Sequence, residues 1–162
     1  MSEYIIPEKT RIGHVHLKVA NLETSLDFYV RLLGFKIMAT YGEDAAFISA
    51  GGYHHHIGLN TWQSKNGPRA PKNAVGLFHT AILFPTQKDL AQILLRLTEH
   101  QYPLTGAADH GVSEALYLDD PDGNGVELYW DKPKESWPTN EDGSLSMYTK
   151  PLDLQALLSE AS

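Results

Sequence analysis

The sequence has no cysteine among its 162 residues. Disulfide bonds, thiolate nucleophiles and cysteine-based zinc sites are therefore excluded. No apolar run approaches the roughly 20 residues that a membrane-spanning helix needs. The first residues, MSEYIIPEKTR, lack the apolar stretch of a secretory signal. We therefore expect a cytoplasmic protein without a membrane partner.

Basic residues are also scarce, with 13 Lys and Arg against 20 Asp and Glu and a formal net charge of -7. Nucleic-acid binding needs clustered Lys and Arg to meet the phosphates, and the sequence shows no basic stripe. A nucleic-acid partner is not expected. The hydrophobic fraction of 42% is enough for a packed core and argues against disorder.

One pattern occurs twice along the chain, with two units separated by a polar, Pro- and Gly-rich linker at 63–76. Alternating side chains predict the first strand, Asn21 caps the following helix, and Gly34 ends it. The first unit has a strand, a helix and three strands, predicted at 12–19, 22–33, 35–41, 45–50 and 53–62. The second has a strand at 77–84, a helix after Thr86, and strands around 104–110, 113–119 and 125–130.

The sequence therefore predicts an α+β fold of two tandem βαβββ modules that form a partly open barrel around a metal site. We treat residues 1–162 as one domain, with module one at about 10–62 and module two at about 77–130. The tail at 131–162 is predicted as a loop containing Trp137, followed by a short helix at 151–161 with several leucines.

Three candidate metal ligands stand out in this scheme, and two of them occupy equivalent positions. His14 and His79 each lie on the first strand of a module, and Glu127 lies on the last strand of module two. Val126 and Leu128 should face a helix, so Glu127 should point to the opposite face. Two imidazoles and a carboxylate with open positions form a facial triad that suits Fe(II). Mn(II), Zn(II), Ni(II) and Co(II) are the alternative metals.

A single strand histidine is most often a hydrogen-bonded structural residue, and a single strand glutamate usually faces solvent. The joint placement of all three residues in a duplicated unit favours the metal interpretation. His100, at the end of a predicted helix, suits the helix dipole and receives no function.

Two segments resemble a known family. IGHVHLKVANLETSLDFYVRLLGF and LYLDDPDGNGVELYW resemble the opening and closing parts of the vicinal-oxygen-chelate superfamily, which includes glyoxalases, bleomycin resistance proteins and extradiol dioxygenases. The likeness covers about residues 10–130. Within the superfamily, GGYHHHIGLNTW and DHGVSEALYLDDPDGNGVELYW look most like catechol 2,3-dioxygenases of the CatE type. The extradiol ring-cleavage signature is matched by His110, Leu116, Tyr117, Asp120, Pro121, Gly123 and Glu127. Ala108 departs from it.

The resemblance implies that His14, His79 and Glu127 bind iron, and that His110 and Tyr117 contact substrate and intermediates. It also implies that His55 is the acid–base histidine. Strand alternation instead places His54, His56 and Gly58 on one face and His55 on the other. A bulge or a late strand start would reconcile the two, and His56 is the alternate.

The function implied is metal-dependent extradiol cleavage of a catechol-like ring with O2, by a protein that forms a homodimer. One alternative is a glyoxalase-like lyase or isomerase, which typically has a fourth ligand near the position of Gly58. Another is a drug-sequestering protein without enzymatic activity.

The chain also has two βαβββ units, where the familiar two-domain extradiol enzymes have four. Trp137 and the leucine-bearing tail are candidates for a subunit contact.

Overall fold

The computed structural model describes residues 3–162. Module one comprises β1 (Val15–Lys18), α1 (Leu22–Leu26), β2 (Lys36–Tyr41), β3 (Ala45–Ser49) and β4 (Ile57–Asn60). Module two comprises β5 (His79–Leu83), α2 (Gln87–Glu99), β6 (Gly106–Asp109), β7 (Ser113–Asp119) and β8 (Gly125–Asp131). The tail adds a 3-10 turn (Lys134–Ser136), β9 (Lys150–Pro151) and α3 (Leu154–Ser159).

The helix of module one differs from a continuous α-helix. Asn21 caps it by accepting from the backbone N–H of Thr24 at 2.9 Å. After α1 the chain continues as π-helical turns over Asp27–Leu32, and Leu33 N donates to Phe28 O at 2.9 Å. These wider turns rotate the buried face. Ser25, Phe28, Tyr29 and Leu32 are buried, and Leu22, Leu26 and Leu33 are partly buried and pack against the core.

Each module forms its own sheet, with strand orders β1-β4-β3-β2 and β5-β8-β7-β6-β9. β1 pairs with β4, and β5 with β8, in parallel; the other neighbours are antiparallel. Within residues 3–162 no strand pairing joins the two sheets, so they do not close into a barrel. β4 is shorter than the predicted strand at 53–62 because residues 51–54 form a turn and bend, with Gly51 at a φ of +70°.

A single hydrophobic core spans both modules and includes residues of α2, β7 and β8. The two modules also meet through polar contacts around the turn at 120–124. The Tyr29 hydroxyl donates to Asp120 Oδ2 at 3.0 Å, and Ala20 N donates to the Asp122 carboxylate at 3.2 Å. Asp120 is only 2% exposed. These bonds join the helical region of module one to the turn that precedes β8.

The tail belongs to the second module. β9 extends the sheet beside β6. α3 is capped by Asp153 and begins at Leu154, three residues later than the predicted start at 151. Leu157 is 2% exposed and belongs to the core of its own chain. The apolar face of α3 is therefore used within the chain. Among the described residues, no helix has the length and apolar character needed to cross a membrane.

Candidate functional site

His79 and Glu127 meet on one face of the module-two sheet. β5 runs parallel to β8 with His79 opposite Gly125, so Glu127 lies diagonally across from His79 on the same face. Val126 and Leu128 alternate with it and are each 1% exposed, as the sequence predicted. His79 Nε2 lies 2.9 Å from Glu127 Oε2, with side-chain exposures of 31% and 13%. An imidazole and a carboxylate thus share one partly open position.

A chain of hydrogen bonds continues from Glu127. Tyr117 lies directly opposite Glu127 in the antiparallel pair of β7 and β8, and its hydroxyl donates to Glu127 Oε1 at 3.0 Å. His110 Nε2 lies 2.7 Å from the same hydroxyl. Burial, together with the hydrogen bond and charge of Glu127, raises the pKa of Tyr117 to about 12. Tyr117 is therefore a neutral phenol near pH 7, able to donate its proton.

The other ring nitrogen of His79 is isolated. Nδ1 is buried and makes no hydrogen bond within the part of the chain that the structure describes. Leaving a buried polar group unpaired costs about 1–3 kcal/mol. The polar contact of the ring is therefore made through Nε2, the atom beside Glu127.

The histidines of module one gather in a second place. His14 is exposed, just before β1, and its ring centroid lies 4.3 Å from that of His55. His55 also packs on Phe47 at 5.1 Å. Partial burial lowers the pKa of His55, and the neighbouring His14 lowers it further. His55 is thus biased toward the neutral imidazole that proton transfer near pH 7 requires.

His56 points elsewhere. Its Nδ1 lies 2.9 Å from Ser49 Oγ, and its ring stacks on Tyr53 at 4.9 Å. The alternation argument that favoured His56 does not apply, because the strand begins only at Ile57. Of the two candidates, His55 is the one that contacts His14.

The three predicted metal ligands do not all converge. Across residues 3–162, no group of three His, Cys, Asp or Glu side chains is placed to hold one metal ion. The structure brings together His79 and Glu127, and it pairs His14 with His55 instead.

The His79–Glu127 pair nevertheless fits a divalent metal. Bonds of roughly 2.1 Å place adjacent ligand atoms of an octahedral metal about 3.0 Å apart. His79 Nε2 and Glu127 Oε2 are 2.9 Å apart. The nitrogen and oxygen donors also suit Fe(II), Mn(II) and Zn(II). Two of the three predicted ligands thus have the required chemistry and separation.

Gly58 has a packing role beside His16. These residues are opposite each other in β4 and β1, and an ideal Cβ on Gly58 would lie 2.8 Å from His16 Cδ2. His16 Nε2 in turn lies 3.0 Å from Asn60 Nδ2, which anchors the ring. The position where some relatives are expected to carry a fourth ligand is therefore filled by the His16 ring.

Sequence reasoning missed the contacts of the tail with His110. Tyr148 O lies 3.1 Å from His110 Nδ1, and Thr149 Oγ1 lies 3.2 Å from it. Residues 131–150 show no hydrophobic period, so the sequence held no signal for these contacts. A cavity of about 370 Å³ lies elsewhere; it is lined by Phe84, Asp89 and Arg96, among others, and includes no predicted site residue.

Comparison with known proteins finds relatives that match most of this chain. The chain is 40% identical over 157 residues to a catechol-2,3-dioxygenase of Bacillus subtilis (strain 168), covering 96% of this chain and 54% of that protein. It therefore spans about half the length of that relative. It is also 30% identical over 125 residues to the metallothiol transferase FosB of Staphylococcus epidermidis (strain ATCC 12228 / FDA PCI 1200), covering 75% of this chain and 82% of FosB.

Solved structures share the fold. A glyoxalase/dioxygenase from Nostoc punctiforme superposes with a TM-score of 0.64 at 18% identity, covering 82% of this chain and 99% of that one. The predicted α+β fold class is confirmed, as two sheets without a closed barrel.

Residues 11–128 match the profile of one protein family. On this match and on the 40% identical relative, the chain belongs to the Glyoxalase/Bleomycin resistance protein/Dioxygenase superfamily.

Proposed function

We propose that the protein is a metal-dependent extradiol dioxygenase that cleaves a catechol-like aromatic diol with O2. The observation that carries the proposal is the run of contacts His110–Tyr117–Glu127–His79, with separations of 2.7, 3.0 and 2.9 Å. A candidate metal-ligand pair is joined there to a phenol and an imidazole that can hold or move a proton. The 40% identical relative named as a catechol-2,3-dioxygenase supports the same reaction.

In this proposal His14, His79 and Glu127 hold the metal, with Fe(II) favoured. The bound metal would supply a positive charge that lowers the pKa of a coordinated hydroxyl. His14 has to come within coordination distance of the His79–Glu127 pair, and metal binding tests this requirement directly.

The remaining site residues would accept protons or donate hydrogen bonds. His55, whose pKa is lowered, would accept a proton from a substrate hydroxyl. Tyr117 would donate a hydrogen bond to developing negative charge, because its raised pKa keeps the phenol neutral. His110 would support Tyr117 through the 2.7 Å contact of its Nε2 with the Tyr117 hydroxyl.

The experiment measures oxygen uptake and the yellow ring-fission product from Fe(II)-loaded full chain with a panel of simple catechols. His79→Ala and His14→Ala should each abolish turnover and weaken metal affinity by at least about 100-fold. His100→Ala, which removes a histidine outside the site, should retain both properties. Inactivity of the loaded chain on the whole panel would refute the proposed reaction. Unchanged metal affinity in His14→Ala would remove His14 from the ligand set.

A glyoxalase-like lyase or isomerase is the second candidate, because a protein of Neisseria meningitidis named lactoylglutathione lyase is 27% identical to this chain over 126 residues. The packing of His16 against Gly58 disfavours a fourth ligand at that position. A methylglyoxal–glutathione assay with Ni(II) or Zn(II) decides between the two enzymes. If the purified chain takes up no metal and shows neither activity, the sequestering protein is favoured.

We also propose a cytoplasmic homodimer. Ile12, Val75 and Phe78 are 91%, 102% and 90% exposed, on the segments that lead into β1 and β5. In the described part of the chain β1 and β5 are edge strands of their sheets, and large exposed apolar side chains next to such edges favour contact with a second copy. Because α3 packs within its own chain, the dimer proposal rests on these residues and not on the tail. Light scattering that gives the monomer mass at micromolar concentration would refute it.

A further inference from the structure

A segment of the tail lies beside His110. We call residues 138–151 the C-terminal strap. Its end pairs with β6, where Lys150 lies opposite Asp109, and Tyr148 N donates to His110 O at 3.3 Å. The Tyr148 ring covers Gly111, where an ideal Cβ would lie 2.7 Å from Tyr148 Cε1. The strap thus rests directly on the residues that carry His110.

The strap also contacts the His110 ring. Tyr148 O lies 3.1 Å from Nδ1, and Thr149 Oγ1 lies 3.2 Å from it. A carbonyl oxygen only accepts hydrogen bonds, so Nδ1 has to carry a proton for the first contact to be one. The opposite nitrogen, Nε2, then faces the Tyr117 hydroxyl at 2.7 Å.

We propose that the C-terminal strap is a positioning element for His110. The Tyr148 carbonyl and the Thr149 hydroxyl hold the ring in one orientation with the proton on Nδ1, so that Nε2 is presented to Tyr117. The part that His110 plays in turnover rests on the proposed function. The ring orientation and the position of its proton are properties of the chain itself.

The position of this proton decides what Tyr117 can do. The Tyr117 hydroxyl has one proton and two neighbours, His110 Nε2 at 2.7 Å and Glu127 Oε1 at 3.0 Å. When a neutral His110 ring carries its proton on Nδ1, Nε2 is an acceptor, and the phenol proton can turn to either neighbour. In the other tautomer Nε2 donates, which restricts the phenol proton to Glu127. The strap therefore leaves the phenol proton free to be donated to either neighbour, one at a time.

The first test reads the proton position without metal or substrate. The His110 signals in nitrogen-15 spectra of the full chain are assigned by their loss in His110→Gln. These signals should show one tautomer of His110, with the proton on Nδ1. Tyr148→Ala removes the ring that anchors the strap and should speed solvent exchange of this proton about tenfold, the effect of losing one hydrogen bond. Met147→Ala changes an exposed neighbour in the strap and should match the wild type.

Two outcomes overturn the inference. One is a His110 proton on Nε2 alone in the unmodified chain. The other is an equal rate of solvent exchange of the His110 proton in Tyr148→Ala and Met147→Ala. If Tyr148→Ala does not fold, Thr149→Val replaces it and should speed the same exchange, with rescue by Thr149→Ser. Failure of Thr149→Ser to restore slow exchange would then count against the inference.

The second test separates positioning from substrate contact. In the active enzyme, Tyr148→Ala should lower kcat about tenfold and leave KM within about twofold, because the strap acts through His110 and Tyr117. A change in KM alone would contradict a positioning role. If no catechol is cleaved but the tautomer experiment succeeds, the proposed function fails and the strap inference stands.

Discussion

The buried hydrogen bond from Tyr29 to Asp120 offers a sharp test of how the modules are joined. The Tyr29 hydroxyl donates to Asp120 Oδ2 at 3.0 Å, and the two residues are 1% and 2% exposed. Asp120 also accepts from Asp122 N, Asn124 N and Asn124 Nδ2, each at 2.9 Å. Tyr29→Phe removes one donor and leaves the ring and the other three bonds in place.

The expected loss of stability in Tyr29→Phe follows from the charge of Asp120, which accepts the hydrogen bond. A hydrogen bond to a charged group contributes about 1.5–3 kcal/mol, so we expect Tyr29→Phe to lower the free energy of unfolding by about 2 kcal/mol. In a domain of this length that corresponds to a fall in Tm of about 4–8 °C. Burial, followed by the charge of Asp120, raises the pKa of Tyr29 well above its usual value, so the phenol stays protonated in the folded protein.

Guanidinium denaturation measures this cost. Tyr41→Phe, which alters a tyrosine that is 71% exposed, is the control and should change the free energy by less than about 0.5 kcal/mol. Asp120→Asn should cost more than Tyr29→Phe, and the double variant should cost less than the sum, because the two residues share a bond. If Tyr29→Phe matches Tyr41→Phe, or if the two costs simply add, this bond does not join the modules as argued.

Three further predictions concern packing and pH. Gly58→Ala should cost about 1–3 kcal/mol, because the new Cβ would lie 2.8 Å from the His16 ring. Leu97→Ala should cost about 2–5 kcal/mol in denaturation experiments, because Leu97 is 1% exposed in the core. Burial alone would raise the pKa of Asp109, but its 2.8 Å hydrogen bond with Lys132 and other contacts outweigh burial and lower it. The stability that Asp109 adds is therefore present above its unfolded pKa of about 3.9 and lost as pH falls through the lower folded value. Asp109→Asn should lower the free energy of unfolding at pH 7. The difference in free energy from the unsubstituted protein should shrink as the pH falls below about 3.9.

Each of these predictions has an outcome that contradicts it. Gly58→Ala at wild-type stability would mean that the His16 ring moves aside freely. A cost below about 1 kcal/mol for Leu97→Ala would place that residue outside a close-packed core. If Asp109→Asn lowers the free energy of unfolding equally at every pH, its effect comes from altered packing and not from the lost charge.

The duplicated pattern made much of the fold predictable, because local periodicity and turn chemistry fix where strands and helices form. The same alternation placed Glu127 opposite the buried Val126 and Leu128. In module one the sequence located the helix but not its type, since sequence spacing assumes α-helical turns and the chain widens into π-helical turns at Asp27–Leu32. The strand argument about the histidines at 54–56 failed because those residues precede the strand.

By itself the sequence determined the βαβββ modules, the order of their elements and the face of the sheet that carries Glu127. Only the tertiary structure decided which distant side chains meet. Strand register brings His79 to Glu127, a loop places His55 beside His14, and the aperiodic C-terminal strap reaches His110. The physical reason is that periodicity records which face a residue occupies, whereas a site depends on how separate elements pack against each other.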